Sequence, residues 1–471
     1  MLLTVGSTAA SVRNSQSHTG ALASAQVVVD AACRAAGIER VASPAQMANL
    51  LQALVRTTAP RGRRVAVLAD GGGHASVASD IATSVGLEVA EFPLELQASI
   101  ARHLPPTAAV GNPVDVAGGA EQDIHSFARV LDLLVKSDAV DAVLSTGYFG
   151  GYAEYGANIG ALEIETSHAM VANTIGAPFV VQTMNWRSPA ATVLRTGGTA
   201  VYSGIDEAAW ALGRLFDRQA HLPTGVPDLP SASAVAAEPG YHASRRIMTA
   251  AGIPFVPAAE VSTVEELLEA VTDLRFPLVL KHLGSEHKSD EGGVILEIPD
   301  SVALLRCWKV LQERFPSAAY SVEEMADLTH VVELLVGARN DPRFGPVVLV
   351  GIGGIFAEIL GDVRCALAPI TPAAARDLLL ALRGSALLTG ARGRPPVDID
   401  AAATVVAQLS TLAAEHPEIA EIECNPVAAT PRRAVALDAR IVLARAGFSR
   451  LPPNSRDPYE SITTDEESRI V

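Results

Sequence analysis

With 471 residues the chain is too long for one ordinary core, and a prior of ~100–200 residues per domain points to several units. Hydrophobic residues make up 49% but aromatic ones only 4%, so the interior must be built from Ala, Val, Leu and Ile, the usual palette of helix-covered parallel sheets. A formal charge of −16 with no Lys/Arg block excludes a nucleic-acid backbone as partner, because phosphate binding needs a basic surface that releases counterions.

Cys33, Cys307, Cys365 and Cys424 lie far apart, with no Cys-x-x-Cys spacing for zinc and no disulfide framework. That usage points to a reduced, cytoplasmic protein. The N-terminus lacks a basic region followed by a long apolar one, and no run of about 18 apolar residues occurs, so neither secretion nor a membrane partner is expected.

In chain order the first feature is QSHTGALAS, where His18 precedes Thr19 and Gly20 in a small-residue loop open to a phosphorylated group. An ordinary N-terminal loop histidine fits the same residues. A break at Thr57 to Arg64 closes this piece, residues 1–56. From 62 to 220, β-rich runs such as VAVLA, DAVLST and APFVVQTM alternate with Ala-rich helical stretches, the pattern of a doubly wound parallel sheet. Within it, ADGGGHASVASDIA runs a strand through Gly71, Gly72 and Gly73 into a helix, whose first N–H groups and dipole favour a phosphate. A tight strand-to-helix turn needs glycine in any case, and His74 beside it is expected to cap or line such a site.

Residues 221–240 are rich in proline and small residues and read as an extended linker. Residues 241–447 mix strands such as FPLVLKHL, GGVILEI, VVELLVGA and GPVVLVGI with helices such as VEELLEAVTDL, an α+β nucleotide-binding unit. FPLVLKHLGSEHKSDEGGVIL places Lys281 at a strand end, His287 in the next loop, and Gly292 and Gly293 before another strand. The lysine offers a point charge to ATP phosphates and the glycines let backbone N–H groups approach an anion. A hairpin with a solvated lysine is the other reading. The neutral imidazole of His287 can attack a γ-phosphoryl group and pass it on, although a surface histidine fits too. EIECNPV sets Glu423 and Asn425 on alternate positions of one strand, and Asp438 in VALDARIV is again polar inside an apolar strand. Two strands presenting oxygen ligands to one point suit Mg2+, while each residue taken singly is equally a strand-end or turn residue. The acidic, proline-containing tail, 448–471, is expected to be disordered.

Lys281, HKSDEGGV, ARNDPRFGPVVLVGIGGIFAEI, RGRPP, and ECNPV with LDARI resemble, in that order, the ATP-grasp domain of ADP-forming acyl-CoA synthetases, the acetate-CoA ligases related to succinyl-CoA synthetase. The triple glycine, GNPVDVAGG and VLSTGYFGG resemble that family's succinyl-CoA-ligase-like flavodoxin-type domain, and QSHTGALAS resembles its phosphohistidine motif. The resemblance implies an α/β protein, a flavodoxin-like doubly wound sheet followed by an α+β ATP-grasp domain. It implies that Lys281, Gly292 and Gly293 bind ATP and that Asn425 and Asp438 bind Mg2+. Adenine would lie by the hinge after Tyr320, near Glu323 or Glu324, with Glu333 and Glu358 bordering the nucleotide. His287 would relay a phosphoryl group to His18, held near Gly71 to Gly73.

The implied reaction joins a carboxylic acid and CoA at the expense of ATP, releasing ADP and phosphate. The family also places a CoA-binding domain and a whole phosphohistidine domain ahead of this point. The chain is therefore expected to lack a CoA-binding domain, with a second chain, an upstream start or a fragmentary gene as explanations, and to form a hetero- or homo-oligomer. Two other functions stay open: a regulatory or non-catalytic ATP-binding protein, and an ATP-grasp ligase making acyl phosphates for amide synthesis.

Overall fold

A computed structural model describes residues 1–4, 11, 25–116, 123–220, 223–233, 240–284, 292–316, 319–354 and 361–444. His18, His287, Glu358 and the tail 448–471 lie outside the described residues. The chain forms two compact units, Met1–Thr4 with Gly37–Thr224, and Val5–Ala36 with Gly225–Val471.

In the first unit Leu2–Leu3 (β1) pairs in parallel with Arg40–Val41 (β2). Its main sheet holds Val65–Ala69 (β3), Val114–Asp115 (β4), Ala142–Thr146 (β5), Phe179–Gln182 (β6) and Ala200–Tyr202 (β7), all parallel, in the order β4-β3-β5-β6-β7. Every residue of β3 and β5 is buried because both faces are covered, which is why these strands read as continuous apolar runs. Leu68, Phe127, Leu131 and Val181 fill one face, and Val67, Ala78, Leu144 and Leu212 the other. The alternating pattern implied a doubly wound parallel sheet, and the strand order is that of a flavodoxin-like one, as the resemblance implied. Ser43 and Ser188, each followed by proline, cap the helices Pro44–Arg56 and Pro189–Thr196, accepting N–H bonds from Gln46 and Ala191.

The pairing of β4 with β3 covers only Leu68 and Ala69, and between it and the single bridge of Arg64 with Glu88 that edge of β3 has no strand neighbour. The side chain of Asn112 takes the place of one. Its Oδ1 accepts from the Val67 N–H at 3.0 Å, and its Nδ2 donates to the Val65 and Ala90 carbonyls at 2.9 Å each.

The second unit has two antiparallel sheets. Ala258–Val261 (β8), Leu278–His282 (β9), Val294–Ile298 (β10) and Tyr320–Glu324 (β11) pair in the order β10-β9-β11-β8 around Leu280, Leu304, Trp308 and Tyr320. Val332–Asp341 (β12), Gly345–Ile352 (β13), Val363–Leu367 (β14), Ile419–Ala429 (β15) and Ala434–Ala436 (β16) pair as β14-β13-β12-β15-β16, and Arg440–Leu443 (β17) also pairs with β15. The helix Ile399–Glu415 packs Val406 and Leu409 with Val336, Val350 and Ile422 of this sheet. This is the α+β unit expected from the mixed strand and helix signals.

Residues 1–56, expected as one piece, are divided between the units. The helix Gln26–Ala35 belongs to the second: Val28 and Ala31 pack with Val347 and Cys365, and Arg34 donates to the Cys365 carbonyl at 2.9 Å. Within the expected linker, residues 223–233 have no regular secondary structure, and Ser233 is pinned where its N–H donates to the Glu415 carbonyl at 2.9 Å. No helix among the described residues is long and apolar enough to cross a membrane.

Asn112→Leu removes three hydrogen bonds, two of them to a buried strand edge. At ~1–3 kcal/mol for each buried group left unpaired, the expected loss is about 2–4 kcal/mol in the urea unfolding of the first unit. An unchanged midpoint would show that β3 does not depend on this side chain.

Candidate functional site

In the first unit the strand order reverses between β3 and β5, and it is at the carboxyl ends of such a strand pair that open α/β sheets usually bind ligands. Gly71 precedes the helix Gly72–Ser84 with extended backbone and no side-chain cap, and the space where Gly73 would carry a Cβ is open. The helix start therefore presents backbone donors. Asp70 lies beneath, accepting the Tyr148 N–H at 2.9 and 2.8 Å. Gly147, with φ +127°, permits this approach, since a Cβ there would sit 1.8 Å from Asp70 Oδ1. Burial pushes the Asp70 carboxyl above its ordinary range, against the opposing Tyr148 N–H bond and nearby His74. Glu163, 1% exposed and likewise raised by burial, accepts N–H bonds from Gly150 and Tyr152 and so holds the Tyr148–Tyr152 turn in place.

In the second unit the site residues collect where β9 and β11 meet the segment between β16 and β17. Lys281 Nζ donates to Glu323 Oε2 at 3.0 Å, to the Leu437 carbonyl at 2.6 Å and to Tyr241 Oη at 3.4 Å. Glu323, 2% exposed, also accepts from Tyr241 Oη at 2.9 Å and Ser321 Oγ at 2.8 Å, and Arg245 Nη1 lies 3.3 Å away. Burial alone would raise its pKa, but Lys281 and Arg245 outweigh burial and hold the carboxyl below its ordinary range. His242 bonds Ser321 through Nε2 at 3.0 Å. Burial, reinforced by Arg245, pushes His242 down to about 4, so it is neutral at physiological pH.

Gly292 and Gly293 stand across from Lys281: Val294 is its register partner and the Gly293 carbonyl accepts the His282 N–H at 2.7 Å. Asn425 and Asp438 face each other across a strand ladder, because Val427–Ala436 and Glu423–Arg440 bracket them with the same offset and the Leu437 N–H meets the Pro426 carbonyl at 3.0 Å. Asn425 is exposed and Asp438 half-buried, with Asp438 Oδ1 accepting the Ala439 N–H at 2.8 Å. Lys281 reaches the carbonyl of Leu437, the residue before Asp438, and so lies next to the strand pair that carries Asn425 and Asp438. No group of three or more His, Cys, Asp or Glu is placed to hold a metal among the described residues. Two side-chain oxygens fit Mg2+ nonetheless, since it keeps several waters and shares phosphate oxygens.

Glu323 and Glu324, expected together by the hinge, have separate surroundings. Glu323 is inside the ion cluster, whereas Glu324 Oε1 accepts the Arg275 N–H at 3.1 Å at the strand end. Glu333 on β12 borders Gly354, where a Cβ would meet its Oε2 at 2.9 Å. Sequence reasoning missed Tyr241, Arg245, Ser321, Asp70, Tyr148 and Glu163. The one available signal was the four-residue spacing of Tyr241 and Arg245, which puts both on one helix face.

Residues 237–443 match the model of the ATP-grasp domain, 1–54 that of the succinyl-CoA ligase like flavodoxin domain and 65–189 that of the Ligase-CoA domain. The expected lack of a CoA-binding domain is not borne out, because the first half of the chain matches CoA-ligase models. Among curated relatives, acetate-CoA ligase (ADP-forming) I of Archaeoglobus fulgidus is 27% identical over 94% of this chain and 66% of its own length. A trans-feruloyl-CoA synthase of an unknown prokaryote is 28% identical over 91% of this chain and 62% of its own. The chain thus spans somewhat under two thirds of the length of these relatives. The β subunit of acetate-CoA ligase (ADP-forming) I from Pyrococcus furiosus is 37% identical over 42% of this chain and 89% of its own. A solved acetyl-coenzyme A synthetase of Ca. Korarchaeum cryptofilum, in complex with coenzyme A and Ca-AMPCP, is 32% identical over 44% of this chain and 93% of its own, with a TM-score of 0.41.

Because the pKa of Glu323 is lowered by folding, its stabilising effect is present above the unfolded glutamate value of about 4.3 and is lost as pH falls through the lower folded value. The advantage in Tm of the wild type over Glu323→Gln should therefore shrink between pH 5 and 3. An advantage constant over that range would show that the carboxylate is not held ionised.

Proposed function

The chain belongs to the family of ADP-forming acyl-CoA ligases, and on that footing we propose that it is a cytoplasmic acid-thiol ligase using Mg2+ and ATP to join a carboxylic acid to CoA. The observation that carries this reading is the bond from Lys281, on a strand paired to the one after Gly292 and Gly293, to the carbonyl next to Asp438, within a unit matching the ATP-grasp model. Lys281 supplies positive charge to the phosphates, and the glycine turn opposite lets backbone donors approach them. Asn425 and Asp438 would hold Mg2+, which would supply positive charge against the transferring phosphoryl group. Glu324 lies at the adenine hinge, and Glu323 is the counter-ion of Lys281 while no nucleotide is bound.

Phosphoryl transfer then follows the family's relay. An imidazole nitrogen of His287 attacks the γ-phosphorus and the bond to ADP breaks. His18 takes the group from His287, with the amides of Gly71 to Gly73 at the helix start receiving the phosphate. A carboxylate oxygen of the acid attacks phosphorus and His18 leaves, giving an acyl phosphate. The CoA thiolate attacks the acyl carbon and phosphate departs. The matched Pyrococcus furiosus relatives named as α and β subunits support an assembly in which CoA-binding and ATP-binding parts come together in a homo- or hetero-oligomer.

With Mg2+ and γ-labelled ATP, the wild type should form an acid-labile, base-stable phosphoprotein that His287→Ala abolishes, whereas His18→Ala should confine the label to His287. Unchanged labelling in His287→Ala would remove that residue from the relay, and ATP binding without label would favour a nucleotide binder that does not transfer phosphate. Asp438→Ala should raise the Mg2+ concentration needed for half-maximal labelling by at least ~10-fold. An unchanged requirement would exclude Asp438 as a ligand.

A further inference from the structure

The cluster around Glu323 contains two cations for one carboxylate. Lys281 and Arg245 both face Glu323, at 3.0 and 3.3 Å, and the side chains of all three are largely removed from solvent. Their roles differ in mobility. Arg245 is fixed at several points: it donates to Tyr241 Oη at 3.0 Å and to the Val256 carbonyl, and its guanidinium lies 4.8 Å from the centre of the Phe255 ring. Lys281 is a point charge on a flexible stem, held to Glu323, Tyr241 and the Leu437 carbonyl by the three donors that an ammonium group has.

An ammonium with three donors engaged has none to spare for a phosphate oxygen, so binding through Lys281 requires it to give up at least one partner. Leaving Glu323 would be costly if no other cation were present, since an unpaired buried carboxylate costs several kcal/mol. Arg245 removes that cost.

We propose that Arg245 is a positioning residue that frees Lys281 for the nucleotide: with Arg245 compensating Glu323, Lys281 can turn to a phosphate without stranding a buried charge. This rests on the reading of Lys281 as a phosphate ligand. The second cation then serves the bound state. Tyr241 keeps Arg245 in register with the carboxylate, donating to Glu323 Oε1 at 2.9 Å while accepting from Arg245.

The test compares dissociation constants of ADP and adenosine, which differ only in the phosphates, by calorimetry on the full chain. Arg245→Met should weaken ADP binding about 10–100-fold and leave adenosine binding unchanged, because Lys281 becomes the sole counterion of Glu323. Arg245→Lys should recover most of the loss, and adding Glu323→Gln to Arg245→Met should restore ADP binding by removing the charge that retains Lys281. Glu323→Gln alone should bind ADP more tightly than the wild type, which gives a separate reading should Arg245→Met fail to fold. Equal weakening of ADP and adenosine in Arg245→Met, no rescue by the double variant, or weaker ADP binding in Glu323→Gln would overturn the proposal. Lys281→Met separates the two ideas. If it lowers ADP affinity while Arg245→Met does not, the phosphate ligand stands and the positioning role falls. If it leaves ADP affinity unchanged, Lys281 is no phosphate ligand and both fall together.

Discussion

A buried carboxylate must find its counter-charges inside the protein, and in the second unit that requirement falls on Glu323. Its partners come from the helix Tyr241–Ala250, from β9 and from β11, and one of them, Lys281, reaches on to the carbonyl of Leu437. Satisfying one charge thus ties the smaller sheet to the edge of the larger one. The same bonds fix the height of Lys281 over the strand pair that carries Asn425 and Asp438. Stability and site geometry are set by one network, so a substitution in it is felt in both.

The first unit solves a different problem. A parallel sheet buried on both faces can expose polar chemistry only at its strand ends. At the carboxyl ends of β3 and β5, two carboxyls are spent on local construction: Asp70 and Glu163 bind the amides of Tyr148, Gly150 and Tyr152. The turn they brace stands next to the helix whose open first turn follows Gly71. Bracing by carboxylates allows a glycine-rich turn to keep one shape without side chains of its own to pack.

Much of this could be read from the sequence where a local rule applies. Continuous apolar runs gave away β3, β5 and β6, and polar residues inside the apolar ECNPV and LDARI segments drew attention to Asn425 and Asp438, which the register sets opposite one another. What stayed hidden depends on distant parts of the chain meeting. Arg245 looks like a solvated charge in YHASRR until β11 brings Glu323 against it. Glu323 and Glu324 are indistinguishable as neighbours in SVEEM, and only strand alternation against a buried partner sends one inward. Asn112 has the look of a turn residue before proline, because the shortness of β4 is invisible until the sheet is assembled. The match of residues 1–54 and 65–189 to CoA-ligase models likewise corrected an expectation based on which motifs were absent, a weaker kind of inference than one based on motifs present.

The helix Gln26–Ala35 has a consequence for how the protein is made. It completes the second unit by packing on β13 and β14, and the bond from Arg34 to Cys365 closes a loop of 331 residues. Closure entropy grows only slowly with length, so the finished contact is affordable, but contacts of such high order form late. At a synthesis rate of ~5–20 residues per second, this helix leaves the ribosome many seconds before its seat exists, while the intervening first unit has time to fold. Val28 and Ala31 must wait exposed through that interval. The helix Gln26–Ala35 is thus a place where a nascent chain of this protein would need shielding.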